Sequence, residues 1–316
     1  FLYIDSGDRD YFSQSETEVF KIMGKLLSEV ISKIKINENH IEGICGKSEV
    51  IKRIKKLVLK YAVEDDPIFI LGENGSGKSH IAKLIHEYSG RSGPFVTVNT
   101  PSIPENLLEN EIFGYQKGGH SEAKKDKPGL VEIGDGGTIF FDEIAEISFS
   151  LQAKLLQFIE TKTFRRLGDL LDRKVDVRIL AATNKDIKHE IKKKQFRQDL
   201  FYRLNELPLE IPPLRKRRED IKLFVDIFKD FLKGKHLTKD FWDVVNHYRW
   251  PGNVRELRSV LRRAGLSIEG ESIGKEISEI IDTMDNMNES EMDLDFETLE
   301  RQLEKGESFF DNIWRM

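Results

Sequence analysis

The stretch Pro67-Ile68-Phe69-Ile70-Leu71-Gly72-Glu73-Asn74-Gly75-Ser76-Gly77-Lys78-Ser79 decides the fold. Its first five residues form a short apolar run of the kind that makes a buried strand. The next eight fit the phosphate-binding pattern G-x-x-x-x-G-K-[ST], and Ile81, Leu84 and Ile85 then recur at helical spacing. Strand, glycine loop and helix in that order is the context the pattern requires. Gly72, Gly75 and Gly77 let backbone N–H groups approach phosphate oxygens, with Glu73, Asn74 and Ser76 filling the variable positions. Lys78 is expected to neutralise the β and γ oxygens and the Ser79 hydroxyl to hold Mg²⁺, with the helix N-terminus adding its dipole.

Outward from this loop a rhythm continues. The β-rich runs at 95–99, 138–141, 177–182 and 207–211 alternate with helical segments, one of them marked by Leu151, Leu155, Leu156 and Ile159. Alternating strands and helices predict an α/β fold, a parallel sheet covered on both faces. The run Thr138-Ile139-Phe140-Phe141 ends in Asp142-Glu143. Two carboxylates at the end of a buried strand can serve a phosphate loop: Asp142 near the Mg²⁺, and Glu143 polarising an attacking water. Together the two motifs predict nucleotide hydrolysis. After Pro212-Pro213 the β runs stop, and helical spacing through about Ile268 predicts a separate small helical domain.

The chain has 316 residues, enough for two domains with short attachments. It has no run of 18 apolar residues, so no membrane helix is expected. One cysteine, Cys45, allows no internal disulfide and fits a reducing cytoplasm. The start, FLYIDSGDRD, reads as a cut through a longer chain. The net charge of −5 is uneven: residues 271–316 hold 14 acidic and 4 basic residues, leaving the other 270 at +5. That mild basicity does not by itself argue for nucleic acid. The basic runs Lys192-Lys193-Lys194 and Arg215-Lys216-Arg217-Arg218 read as solvated or interfacial faces, and the histidines show no metal-ligand spacing. From Glu16 to Lys35 apolar residues recur at helical spacing, predicting an amphipathic helix that packs on its own domain or pairs with a second copy.

Residues 41–266 resemble the AAA+ domain of the NtrC-type activators of sigma-54 RNA polymerase. Beyond the phosphate loop, the resemblance is carried by VNTPSIPENLLENEIFG at 98–114, GTIFFDEIAEISFSLQAKLLQFIE at 137–160, FRRLG at 164–168 and KVDVRILAATN at 174–184. It continues with FRQDLFYRLNELPLEIPPLRKRREDI at 196–221 and WPGNVRELRSVLRRA at 250–264. The resemblance implies a three-layer AAA+ nucleotide-binding domain over 39–211 and a helical lid over 212–270. Residues 1–38 are similar to the end of a GAF-type sensory domain plus the connector helix, and the acidic segment 271–316 is expected to be a fragment of a further region. ATP and Mg²⁺ are the implied cofactors, and a homo-oligomeric ring, usually a hexamer, is the implied assembly. By the same resemblance Asn99 restrains the catalytic glutamate, and Thr183 and Asn184 sense the γ-phosphate. Arg197 and Arg203 are arginine fingers for a neighbour's site, and Arg255 is the lid's sensor arginine.

Two positions depart from the family. Ser79 stands where the family commonly has Glu, which restores the general nucleotide-binding pattern. The family's partner loop, GAFTGA, touches sigma-54 through its Phe and Thr; here the aligned residues are Gly118, Gly119, His120, Ser121, Glu122 and Ala123. An apolar wedge becomes a titratable polar tip, which costs more to desolvate. The expectation is that ATP hydrolysis survives while sigma-54 remodelling is poor, with a rival reading as a nucleotide-dependent scaffold that no longer engages sigma-54. No helix-turn-helix pattern occurs, so DNA contact is expected only through a module outside these residues.

Overall fold

The computed structural model describes residues 43–119 and 124–284. The expected connector helix at 16–35, the GAF-like start, His120, Ser121, Glu122 and Ala123 of the partner loop, and the acidic tail from 285 lie outside the described residues.

The strands in chain order are β1 (Ile68–Leu71), β2 (Phe95–Asn99), β3 (Gly114–Tyr115), β4 (Lys127–Pro128), β5 (Thr138–Asp142), β6 (Thr163–Phe164), β7 (Arg173–Lys174), β8 (Arg178–Thr183) and β9 (Leu207–Glu210). Five of them form a parallel sheet in the order β2-β5-β8-β1-β9. The expected runs at 67–71, 95–99, 138–141, 177–182 and 207–211 coincide with these five within a residue. Successive side chains serve opposite faces of a strand. Phe69, Ile139, Phe141 and Ile179 pack on one face with Leu151, Leu155 and Phe158 of the helix Phe149–Thr161 and with Leu200 and Leu204. Ile68, Ile70, Phe140 and Leu180 pack on the other with the helices Glu49–Ala62 and Lys78–Tyr88. Burial on both faces is why these strands read as continuous apolar runs, and it makes the domain three-layered.

The helix Glu49–Ala62 starts at Ser48, whose Oγ accepts from Ile51 N at 3.3 Å, and it buries the stripe Ile51, Ile54, Val58 and Ala62. Its lysines form the opposite, solvated face.

From Leu214 onward a second core gathers around Trp250, with Phe241, Val245, Leu257, Val260 and Leu261. Trp250 is fully buried and donates from Nε1 to Val245 O at 2.9 Å. This lid corrects two expectations. It is not purely helical: β10 (His236–Leu237) pairs in parallel with β11 (Ser272–Ile273). Nor does it stop at residue 270, because Ile273, Ile277 and Ile281 are buried in its core. The beginning of the expected acidic segment is therefore a structural part of the lid. Among the described residues, no helix is long and apolar enough to cross a membrane.

Candidate functional site: a phosphate-loop cavity beneath the lid

The carboxyl ends of β1 and β5 meet at one edge of the sheet, where open α/β sheets bind ligands. A cavity of about 880 Å³ opens there, lined by Asn74 to His80, Asn99, Asp142, Glu143 and, from the lid, Arg217, Phe224, Phe228, Phe231, Arg255 and Arg258.

The loop is shaped by its glycines. Gly75 has φ +72°, and a Cβ there would lie 2.2 Å from Gly252 O of the lid. Gly77, at φ +109°, ends the loop at the first turn of Lys78–Tyr88. The helix therefore points its unsatisfied N–H groups into the cavity.

Lys78 is buried, donates to Gly72 O at 2.9 Å and pairs with Glu143 Oε1 at 3.0 Å. Glu143 Oε2 accepts from Asn184 N at 2.9 Å, and Asn184 Nδ2 donates to Asn74 Oδ1 at 3.0 Å. Asn184 thus ties the phosphate loop to the carboxylate. Glu143 has φ +53°, a left-handed conformation that costs about 1–3 kcal/mol for a side-chain-bearing residue. The Thr100 hydroxyl holds this turn by donating to Glu143 O (2.6 Å) and Asp142 O (3.0 Å).

Ser79 Oγ donates to Asp142 Oδ2 at 2.8 Å, while Asp142 Oδ1 is buried and has no hydrogen-bond partner. A hydroxyl and a carboxylate with one unpartnered oxygen, on two residues that line the cavity, form a hard-oxygen donor set that fits Mg²⁺. The Ser76 hydroxyl is likewise buried without a partner.

Not every expected residue reaches the site in the expected way. Asn99 ends β2 in register with Asp142 and lines the cavity, but its side chain makes no hydrogen bond to Glu143. Thr183 is fully buried, and its Oγ1 accepts from Lys185 N at 3.1 Å. Arg255 lines the cavity from the helix Asn253–Ser267. Arg197 and Arg203 are absent from the cavity wall. Arg197 pairs with Asp199 at 2.7 Å and lies 5.5 Å over the Phe149 ring; Arg203 approaches Glu206 at 3.4 Å. Gly118 and Gly119 follow β3, and Gly119 lies against Leu167.

The fastening of the lid is not visible in the motifs. Arg215 makes two hydrogen bonds to Glu73, at 2.5 and 2.7 Å, and Asn253 Nδ2 donates to Glu73 Oε2 and to Asn74 O. Arg217 is buried and donates to Ser76 O at 3.0 Å, and Val254 N donates to Gly75 O at 3.1 Å. Asp220, fully buried, accepts from Ser48 N and Ser48 Oγ. Of the two readings of their run, solvated or interfacial, Arg215 and Arg217 take the second: they form the clamp between lid and phosphate loop. Hydrogen bonding to Arg215 holds the Glu73 carboxyl below the usual carboxylate range, and burial pushes the Arg217 guanidinium down.

Fold and site thus define a phosphate-loop nucleotide-binding domain with a lid closing over the loop. The family model for the sigma-54 interaction domain matches residues 44–210, and that for the AAA+ ATPase lid domain matches residues 215–303. The chain belongs to this AAA+ family of sigma-54-dependent transcriptional activators. It is 43% identical over 237 residues to the response regulator PilR of Pseudomonas aeruginosa, covering 73% of this chain and 53% of that protein. It is 42% identical over 241 residues to the transcriptional regulatory protein FlgR of Helicobacter pylori, covering 74% and 63%. The crystal structure of NtrX from Brucella abortus in complex with ADP matches with a TM-score of 0.70 at 30% identity, over 87% of this chain and 62% of that one. The ATP complex of the same protein matches with a TM-score of 0.69. The chain spans about half the length of the first curated relatives, 53% and 54% of PilR and LuxO.

Proposed function

We propose that this chain is an ATP-hydrolysing motor that acts on sigma-54 RNA polymerase as a homo-oligomeric ring, in the cytoplasm where that polymerase works. The observation that carries the hydrolytic reading is the Lys78–Glu143 pair at 3.0 Å beside the unpartnered Asp142 Oδ1. Phosphate oxygens entering the loop compete with Glu143 for Lys78. When Lys78 turns to the phosphates, Glu143 is left with the Asn184 amide and can accept a proton from a water in line with the γ-phosphate. Asn184, bonded to both Asn74 and Glu143, feels the change at once. Ser79 Oγ and Asp142 would hold a magnesium ion, which when bound neutralises charge on the phosphate oxygens. Nucleotide binding is further supported by the ATP and ADP complexes of NtrX.

Arg197 and Arg203 lie outside their own cavity, and each has a carboxylate at the surface. Exposed pairs of this kind contribute only about 0–1 kcal/mol, so a neighbour's phosphates can displace them. That favours a site completed between subunits. The sigma-54 reading is supported by the family match, which runs through the partner loop; the rival scaffold reading is not favoured by it. The test is phosphate release measured across a protein concentration series with magnesium and ATP. Specific activity that climbs with concentration is expected; a flat profile would contradict shared sites.

A further inference from the structure

Gln152 ties together two segments that are distant in sequence. It is fully buried in the helix Phe149–Thr161. Its Nε2 donates to Ile147 O at 2.8 Å and to Gln195 O at 2.9 Å, and its Oε1 accepts from Arg197 N at 2.8 Å. One buried amide thus satisfies backbone groups just before Phe149 and just before the helix Gln198–Leu204. A buried polar group with its partners in place fixes their separation. The point where the Arg197 side chain leaves the backbone is therefore set relative to Phe149.

The two side chains then meet at the surface. Phe149 is exposed, and its ring lies 5.5 Å from Arg197 Cζ, within the range of a cation–π contact. Asp199 Oδ1 accepts from Arg197 Nε at 3.0 Å and Asp199 Oδ2 accepts from Nη2 at 2.7 Å. The guanidinium is held along its edge by a carboxylate and across its face by a ring. Arg203 is held differently: its Nη1 reaches Glu206 Oε1 at 3.4 Å, and among the described residues no ring faces it.

The two holds on Arg197 respond differently to a phosphate. Phosphate oxygens take the in-plane N–H donors, the same donors that Asp199 occupies, so they compete with the carboxylate directly. The ring uses the face of the guanidinium and leaves those donors free. The Phe149 contact can therefore persist while carboxylate is exchanged for phosphate. An arginine already confined by a ring has less rotamer freedom to lose on reaching its target.

We propose that Phe149 is the positioning residue for Arg197, keeping the guanidinium aimed at a neighbour's nucleotide as it passes from Asp199 to the phosphates. The proposal rests on the shared-site reading above and adds the group that orients the cation. Phe149 is not part of the wall of its own nucleotide cavity, so its effect belongs to turnover and not to nucleotide affinity.

The experiment measures ATP turnover at saturating ATP and assembling protein concentration for Phe149→Leu and Phe149→Tyr beside the unmodified chain and Arg197→Ala. Leu keeps apolar bulk and lacks a π face; Tyr keeps the face. Phe149→Leu should turn over about 3–30-fold more slowly, with unchanged affinity for a fluorescent ATP analogue and unchanged assembly by light scattering. Phe149→Tyr should stay close to the unmodified chain. Mixing Phe149→Leu with Glu143→Ala should give more turnover than the two measured separately, because an intact Glu143 then meets a neighbour whose Phe149 and Arg197 are both intact. A role confined to supporting its own subunit would not produce that gain. If Arg197→Ala is slow but Phe149→Leu matches the unmodified chain, the proposal is wrong and the shared site stands. A Tyr variant as slow as the Leu variant would also overturn it. Loss of assembly in Phe149→Leu, with turnover per assembled ring unchanged, would assign the ring to subunit packing instead. Normal turnover in Arg197→Ala would remove the shared-site role of that arginine, and this proposal with it.

Discussion

The nucleotide cavity and the surface carrying Arg197 and Arg203 use charge in opposite ways. In and beside the cavity, polar and charged groups hold one another across the chain: Lys78 with Glu143, Ser79 with Asp142 and, in the adjoining clamp, Arg215 with Glu73. At the arginine surface each guanidinium has a local partner two or three residues away and is partly exposed. The first arrangement is shaped for a ligand that arrives with phosphates. The second is a pair of cations held only by neighbouring surface carboxylates, which an incoming phosphate can displace. On the function proposed above, this contrast corresponds to a divided chemistry: nucleophile activation within one subunit, late charge stabilisation from another.

Breaking the second region should have the largest effect. Replacing Arg197 and Arg203 together by Ala should lower ATP turnover by about 10³–10⁵-fold. Affinity for a fluorescent ATP analogue should stay close to that of the unmodified chain, since neither residue lines its own cavity. Breaking the first region at Glu143 gives a different signature. Glu143→Ala should lower phosphate release by about 10²–10⁴-fold while ATP remains bound in equilibrium titration. A large loss of affinity in the arginine variant, or normal turnover in the Glu143 variant, would reverse the assignment of the two regions.

The lid clamp gives a smaller effect, readable against pH. Hydrogen bonding to Arg215 depresses the Glu73 pKa. A carboxylate depressed in the folded state stabilises it above the unfolded pKa, and that contribution is lost as pH falls through the folded value. Glu73→Gln should therefore be less stable than the unmodified chain at neutral pH. In thermal unfolding, the two chains should converge in acid. A constant difference across the acid range would show that the carboxylate charge is not what holds the lid.

Lys162 sharpens the comparison from the arginine side. Burial, then Arg203 and Arg91, push its ammonium down to about 8. Between that value and the ordinary lysine value the unfolded chain binds the proton more readily, so stability rises with pH across this window. Lys162→Met should raise stability at neutral pH by roughly 1–3 kcal/mol and remove the rise, as urea unfolding at pH 7 and 9.5 would reveal.

How much of this was legible in sequence depended on whether the cause was local. The strands Ile68–Leu71 and Arg178–Thr183 announce themselves because both faces are buried and every residue but Arg178 is apolar or small. The phosphate loop, Asp142 and Glu143 announce themselves because phosphate chemistry fixes their types and spacing. The clamp's partners were hidden: Arg215 and Glu73 are 142 residues apart, and a run of four basic residues reads equally as a solvated or an interfacial face until its partners are known. The lid's edge was hidden because Ile273, Ile277 and Ile281 alternate with Glu276, Glu279 and Asp282, so one-sided burial was masked by charge.

The division of chemistry between subunits is tested most directly by mixing two inactive variants. Glu143→Ala keeps its arginines and lacks its own nucleophile activator. Arg197→Ala/Arg203→Ala keeps Glu143 and lacks the cations it would lend. Mixed in equal amounts under assembling conditions, some sites will join an intact Glu143 to a neighbour's intact arginines. ATP turnover in the mixture should lie well above the sum of the two variants measured alone. Turnover that remains at that sum, with mixed assemblies demonstrated, would contradict the division.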